Sequence, residues 1–261
     1  DWLGDGANWS GTDGVWHRLS EHLYFSGASL GIALVLALPP AVILGHYGKG
    51  GAIAINISNV GRAVPTFAVL TLLLFVIGSD SDWPVIIALV LFAIPPLVTN
   101  TYVGMREADR DVVEAARGMG MTDSQLLFRI ELPLAFPLIW TGVRSAAVQV
   151  VATATLAAMA GFGGLGRIIT AGFNRQITAQ VVAGAVLVAV LALLVEGVFL
   201  VVQRLVDPMR RRKQPGAPSS GASPDAPSPG APGAPGAAGA PGAAGSPGAS
   251  GTTSLSGVLN P

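Results

Sequence analysis

Five stretches of this sequence, residues 23–46, 52–78, 84–105, 137–160 and 179–205, run for more than twenty residues with no more than two charged side chains in each. A hydrocarbon layer about 30 Å thick is crossed by about 20 apolar residues at a rise of 1.5 Å each. Asp, Glu, Lys and Arg make up 11% of the 261 residues, against about a quarter in a soluble domain. Five buried helices inside a water-soluble shell would need amphipathic neighbours and a charged surface that this composition cannot supply. The expected fold is therefore all-α, a polytopic membrane helical bundle of about five transmembrane helices, with lipid as the partner of much of its surface.

Several chemistries are excluded. The chain has no cysteine, so thiolate metal sites, disulfides and thiol nucleophiles are impossible, and its histidines, His17, His22 and His46, are too scattered to suggest a ligand cluster. No G-x-x-x-x-G-K-[ST] loop is present to cradle ATP phosphates, and no nucleophile–base constellation stands out. No enzyme activity, bound cofactor, metal or nucleic-acid partner is expected. The first residues lack the basic, apolar, small-residue order of a cleaved leader, so the first apolar run is expected to direct insertion.

Lysine and arginine in short loops stay on the cytoplasmic side. Residues 47–51, 106–136 and 206–213 hold nine of them, while residues 1–22, 79–83 and 161–178 hold three, Arg18, Arg167 and Arg175. That asymmetry places the N-terminus outside and the C-terminus inside. The organisation read from this is an extracytoplasmic segment over 1–22, a membrane domain over 23–208, and a tail over 209–261 that opens with a basic stop. The tail is rich in Pro, Gly, Ala and Ser, with Gly at every third position from Gly230 to Gly251. So short a run of the collagen period reads as a disordered low-complexity segment.

The loop over 106–136 is long for a connection inside a compact bundle. Residues 111–118 are rich in helix formers, and Gly118 and Gly120 are placed to end that helix at positive φ. Thr122 and Gln125 fit a capping box, opening a second helix over 123–131 that is expected to stop before Pro133.

Here the sequence resembles a known family. EAARGMGMTDSQLLFRIELP fits, without a gap, the E-A-A, three residues, G, nine residues, I-x-L-P pattern of the permease subunits of binding-protein-dependent ABC importers, the matching positions being Glu114, Ala115, Ala116, Gly120, Ile130, Leu132 and Pro133. The resemblance extends over roughly residues 20–208 and is most similar to the branch that imports glycine betaine, choline, carnitine or proline betaine. It implies a prokaryotic inner (plasma) membrane protein that couples to cytoplasmic ATPase subunits holding ATP and Mg, receives cargo from an extracytoplasmic substrate-binding protein, and pairs with a second permease chain, identical or paralogous. The E-A-A helix is then the coupling helix. Glu114 would pair with a basic residue of the ATPase, and Ala115 and Ala116 would let the helix lie close to it. An amino-acid importer with the same loop is the near alternative, and a channel or structural membrane protein without an ATPase is the alternative from another class.

Charges inside spans are costly and point to function or to an interior partner. Arg62 and Glu196 lie at similar depths, a candidate pair either lining the pathway or fixing helix packing, and Arg144 is expected to snorkel towards the surface. Pro39-Pro40, Pro65 and Pro95-Pro96 are expected to kink three spans. The small residues of SAAVQVVATATLAAMAG allow close helix approach at a core or dimer contact. Aromatic residues are 7% of the chain and form no evident cage for a quaternary ammonium, so selectivity is expected to reside in the binding protein. Finally, GFGGLG matches a dinucleotide-binding fingerprint but follows a membrane span, with no acidic residue about 20 positions on. Gly161, Gly163, Gly164 and Gly166 read instead as a flexible outer turn that could serve a gate or a docking surface.

Overall fold

The computed structural model describes residues 2–52, 56 and 65–206. Two short 3-10 turns, Trp2–Gly4 and Gly6–Asn8, precede helix α1, Val15–Tyr47. Then follow α2, Thr66–Ile77; α3, Trp83–Arg106; α4, Arg110–Gly118; and α5, Asp123–Leu126. A π-turn, Leu127–Glu131, leads into α6, Leu132–Thr153, and a 3-10 segment, Ala154–Ala160, continues it. Helices α7, Gly166–Asn174, and α8, Thr178–Val206, complete the described chain. No strand occurs among the described residues.

Four helical segments among the described residues are long and apolar enough to cross a membrane: α1, α3, the run from Asp123 to Ala160, and α8. The expected second span is described only in part, its later half forming α2, and the tail over 209–261 lies outside the described residues. Two boundaries differ from expectation. Helix α1 begins at Val15 rather than at residue 23, since Gly14 is its N-cap and nothing after it breaks a helix. Helix α2 starts only at Thr66, inside the expected span, with Pro65 as its extended N-cap, the Pro65 carbonyl accepting the amides of Ala68 and Val69 at 3.0 and 3.2 Å. The pairs Pro39-Pro40 and Pro95-Pro96 lie inside continuous helices.

Helix α3 is packed between α1 and α6. The α1 face made by Ser26, Ser29, Ala33, Ala37, Ala41 and Gly45 recurs every three or four residues and is buried throughout. Small residues let backbones approach, which is how helices associate where lipid removes the hydrophobic drive. Ser29 Oγ also donates to the Ile86 carbonyl of α3 at 3.3 Å. On the α6 side a Cβ added at Gly104 would lie 2.9 Å from Leu138 Cβ, and one at Gly142 would lie 2.8 Å from Asn100 Cβ. Ala146, Ala147, Ala154, Ala157 and Ala158 are buried, so the small-residue run of this span serves packing within the chain. By contrast Phe75 of α2 and Leu193, Leu194 and Val198 of α8 are exposed apolar side chains, as a lipid-facing or partner-facing surface requires.

Candidate functional site

The loop over 106–136 is a built structure with its own small core. Asp109 caps α4 by accepting the Asp111 amide at 3.0 Å. Val113 and Ala116, one turn apart, are buried against Leu126, with Met121 and Ile130 packed around them. Glu114 and Ala115 point the other way and are exposed. Ala116 is thus a core residue, and of the alanine pair Ala115 alone offers the open, low-bulk face expected of both.

The turn between α4 and α5 explains the glycine of the motif. Gly120 has φ 85°, its amide donates to the Arg117 carbonyl at 3.0 Å, and the Met121 amide donates to the Ala116 carbonyl at 3.3 Å. This is a Schellman motif, in which the left-handed residue after the helix favours glycine. Gly118 was expected to share that role but lies within α4 and is not among the positive-φ residues. Thr122 and Gln125 then form both halves of a capping box, the Thr122 amide donating to Gln125 Oε1 at 3.0 Å and the Gln125 amide to Thr122 Oγ1 at 3.4 Å.

The second helix does not stop before Pro133. A regular turn would drive the Pro133 ring against the carbonyl four residues back. The chain instead widens to i,i+5 bonding over Leu127–Glu131, with the Leu132 amide donating to the Leu127 carbonyl, and Pro133 sits in the first turn of α6. Ile130, Leu132 and Pro133 therefore join the loop to a membrane helix without a break. Glu131 at this joint is 3% exposed, and its Oε2 lies 2.5 Å from His46 Nδ1 at the end of α1. Neither residue stood out in the sequence. An acidic side chain directly before L-P is the local sign that was available, and its partner is 85 positions away. Beside the pair is a cavity of about 260 Å³ lined by Arg106, Arg110, Glu114 and Arg117.

At the opposite end of the bundle the GFGGLG turn, expected as a flexible outer turn, is hydrogen-bonded to α1. The Gly164 amide donates to Glu21 Oε2 at 2.8 Å and the Leu165 amide to His22 Nδ1 at 3.3 Å. With Nδ1 accepting, the proton is on Nε2, which donates to the Val151 carbonyl at 2.9 Å. That carbonyl stands where α6 passes into 3-10 bonding, a change of register that leaves a carbonyl without its usual partner. Gly161 and Gly164 have φ 93° and 92°, and a Cβ at Gly163 or Gly166 would overlap Glu21 or the Thr155 carbonyl.

Within the spans, Glu196 of α8 pairs with Arg144 of α6, Nε to Oε1 at 3.4 Å. Arg62 lies outside the described residues. Arg144, expected to snorkel, has Glu196 of the neighbouring helix as its partner, and the helix that carries it begins at Leu132 rather than at residue 137.

The family model for the binding-protein-dependent transport system inner membrane component matches residues 29–212. The chain is 32% identical over 192 residues to the glycine betaine/carnitine/choline transport system permease protein OpuCB of Bacillus subtilis, covering 74% of this chain and 88% of that protein. It is 36% identical over 176 residues to the carnitine transport permease protein OpuCB of Listeria monocytogenes, covering 67% and 80%. Its fold is similar to an inward-facing conformation of the MetNI methionine ABC transporter, with TM-score 0.62 and 22% identity over 73% of this chain and 95% of that one.

Proposed function

Because the chain belongs to the family of binding-protein-dependent transport system inner membrane components and is the multi-pass permease subunit of an ABC importer, we propose that its cargo is a quaternary-ammonium osmoprotectant and that α4 receives the stroke of a separate ATPase. The substrate class is supported by the relatives, whose names specify glycine betaine, carnitine and choline. The coupling role is supported by one observation: α4 presents Glu114 and Ala115 outward from a helix capped at both ends and backed by its own core. A helix held this way moves as a unit when a partner's groove closes on it.

In this reading ATP and Mg are held by the ATPase, which supplies the energy through tighter ATP binding in one state. Gly120 sets the angle of α4, and the unbroken run through Pro133 carries displacement into α6. The loop-charge asymmetry supports an N-terminus outside and a C-terminus in the cytoplasm, with a substrate-binding protein docking on the face that holds the GFGGLG turn and a second permease chain completing the pathway. The test is co-purification from mild detergent, followed by uptake of labelled glycine betaine, carnitine and choline by the reconstituted complex. Loss of the ATPase on Glu114→Arg with the permease still folded is the expected result. An unaltered complex in that variant, or uptake of none of the three cargoes, would overturn the corresponding half of the reading.

A further inference from the structure

Phe136, Trp140 and Arg144 stand at four-residue steps on α6 and so share one face of that helix. Phe199 and Glu196 of α8 meet them in reverse order, Phe199 against Trp140 and Glu196 against Arg144, as antiparallel neighbours do. Trp140 stacks on Phe136 with ring centroids 5.8 Å apart and tilts against Phe199 at 5.7 Å. Its indole N–H donates to the Phe199 carbonyl at 3.0 Å, which fixes the ring. Three aromatic rings thus adjoin an ion pair.

The position of that pair is informative. Arg144 lies about 18 Å along α6 from Leu132 and Glu196 about 15 Å from the Val206 end of α8, at 1.5 Å per residue. Both are then near the middle of a core about 30 Å thick. Their side chains nevertheless remain 24% and 36% exposed in the single chain. Charges left open at that depth face a water-filled path or a protein partner, because contact with acyl chains is strongly unfavourable. The pair meets through Nε and Oε1 at 3.4 Å, a contact that does not engage the outer fork of the guanidinium or the second carboxylate oxygen.

We propose that this patch is a substrate-contact site for a zwitterion carrying a quaternary ammonium and a carboxylate, an inference that rests on the cargo class argued above. A quaternary ammonium has no N–H to donate and is recognised by aromatic faces and by a nearby negative charge, here Trp140 with its two phenylalanines and Glu196. A carboxylate is matched by the planar fork of Arg144. Without cargo, Arg144 and Glu196 satisfy each other, so no bare charge stands at membrane depth. With cargo, one guanidinium–carboxylate contact is exchanged for another, which keeps net binding weak enough for passage. The rings come from segments 59 positions apart, which is why no cage was visible in the sequence.

The test uses the full chain assembled with unaltered ATPase and binding protein in proteoliposomes, and measures kcat/KM for glycine betaine, carnitine and choline. Choline has a hydroxyl where the other two have a carboxylate. Arg144→Gln is expected to lower uptake of betaine and carnitine by about tenfold or more while changing choline by less than about threefold. Glu196→Gln and Trp140→Leu should lower all three, with Trp140→Phe retaining most activity. Should Arg144→Gln fail to fold, Arg144→Lys keeps the charge without the fork and is expected to show the same selective loss. An equal fall for every cargo in the Arg144 variants marks a purely structural pair and overturns the site while leaving the cargo class intact. Wild-type uptake confined to choline overturns the zwitterion assignment, and uptake of none of the three overturns the cargo class and this site with it.

Discussion

Glu131 at the π-turn and His46 at the end of α1 meet at 2.5 Å with side chains 4% and 8% exposed. The contact joins the start of α6, which carries the loop, to a helix on the other side of α3. One buried hydrogen bond therefore ties the loop's exit into α6 to the end of α1.

Breaking one partner of a buried pair leaves a polar group without compensation and typically costs about 3–5 kcal/mol. Glu131→Ala is expected to lower the thermal stability of the detergent-solubilised protein sharply. His46→Leu combined with Glu131→Leu should recover much of that loss, since apolar replacement of both partners is close to neutral. A melt monitored by fluorescence checks it, and a double variant no more stable than Glu131→Ala would show that the pair is not the cause.

The two glycines that follow the E-A-A residues should respond in opposite directions. Gly120 at φ 85° occupies a conformation that costs an alanine about 1–2 kcal/mol. Gly118 lies within α4 with open space around its Cα, where alanine gains about 0.5–1 kcal/mol in helix propensity. Gly120→Ala is expected to reduce ATPase co-purification and uptake, with Gly120→Asn milder, and Gly118→Ala to be neutral or slightly stabilising. Equal effects at both positions in a pull-down would contradict the Schellman assignment.

What was legible in the sequence was local. Hydropathy placed a span over 84–105 that the structure forms as Trp83–Arg106, because burial along one helix depends on that helix's own residues. The Thr122–Gln125 box was readable for the same reason, its two halves being three residues apart. Glu131 with His46, Glu21 with Gly164 and Trp140 with Phe199 are 85, 143 and 59 positions apart, and no periodicity carries that information. The helix through Pro133 was missed for another reason: proline is read as a stop, and a π-turn that removes its clash leaves no mark in composition.

Ala115 and Ala116 are adjacent but differ in environment, so one substitution separates docking from folding. Ala116 is 2% exposed between Val113 and Leu126, and Ala116→Leu overpacks that cluster at a cost of about 1–3 kcal/mol. Ala115→Leu places the same bulk in solvent. The first is expected to lower the melting temperature, and the second to leave it unchanged while weakening ATPase binding. Measuring melting and pull-down on both variants tests this, and a destabilised Ala115→Leu would count against an open docking face.

The GFGGLG turn allows the same separation at the other end of the bundle. His22 is fully buried and bridges the Leu165 amide and the Val151 carbonyl, while Glu21 holds the Gly164 amide. Removing the imidazole strands a buried donor and a buried acceptor, each costing about 1–3 kcal/mol. His22→Ala is therefore expected to speed amide exchange at 161–166 and at the end of α6 together, because one ring serves both. His22→Gln can supply a carbonyl to one and an amide to the other, and should restore part of the protection. Glu21→Ala should loosen the turn and leave the end of α6 protected. Exchange that is already fast at 161–166 in the wild-type protein would mean that the turn is a loose rim after all; slow exchange lost jointly in His22→Ala would establish it as a clamp between α1 and the end of α6.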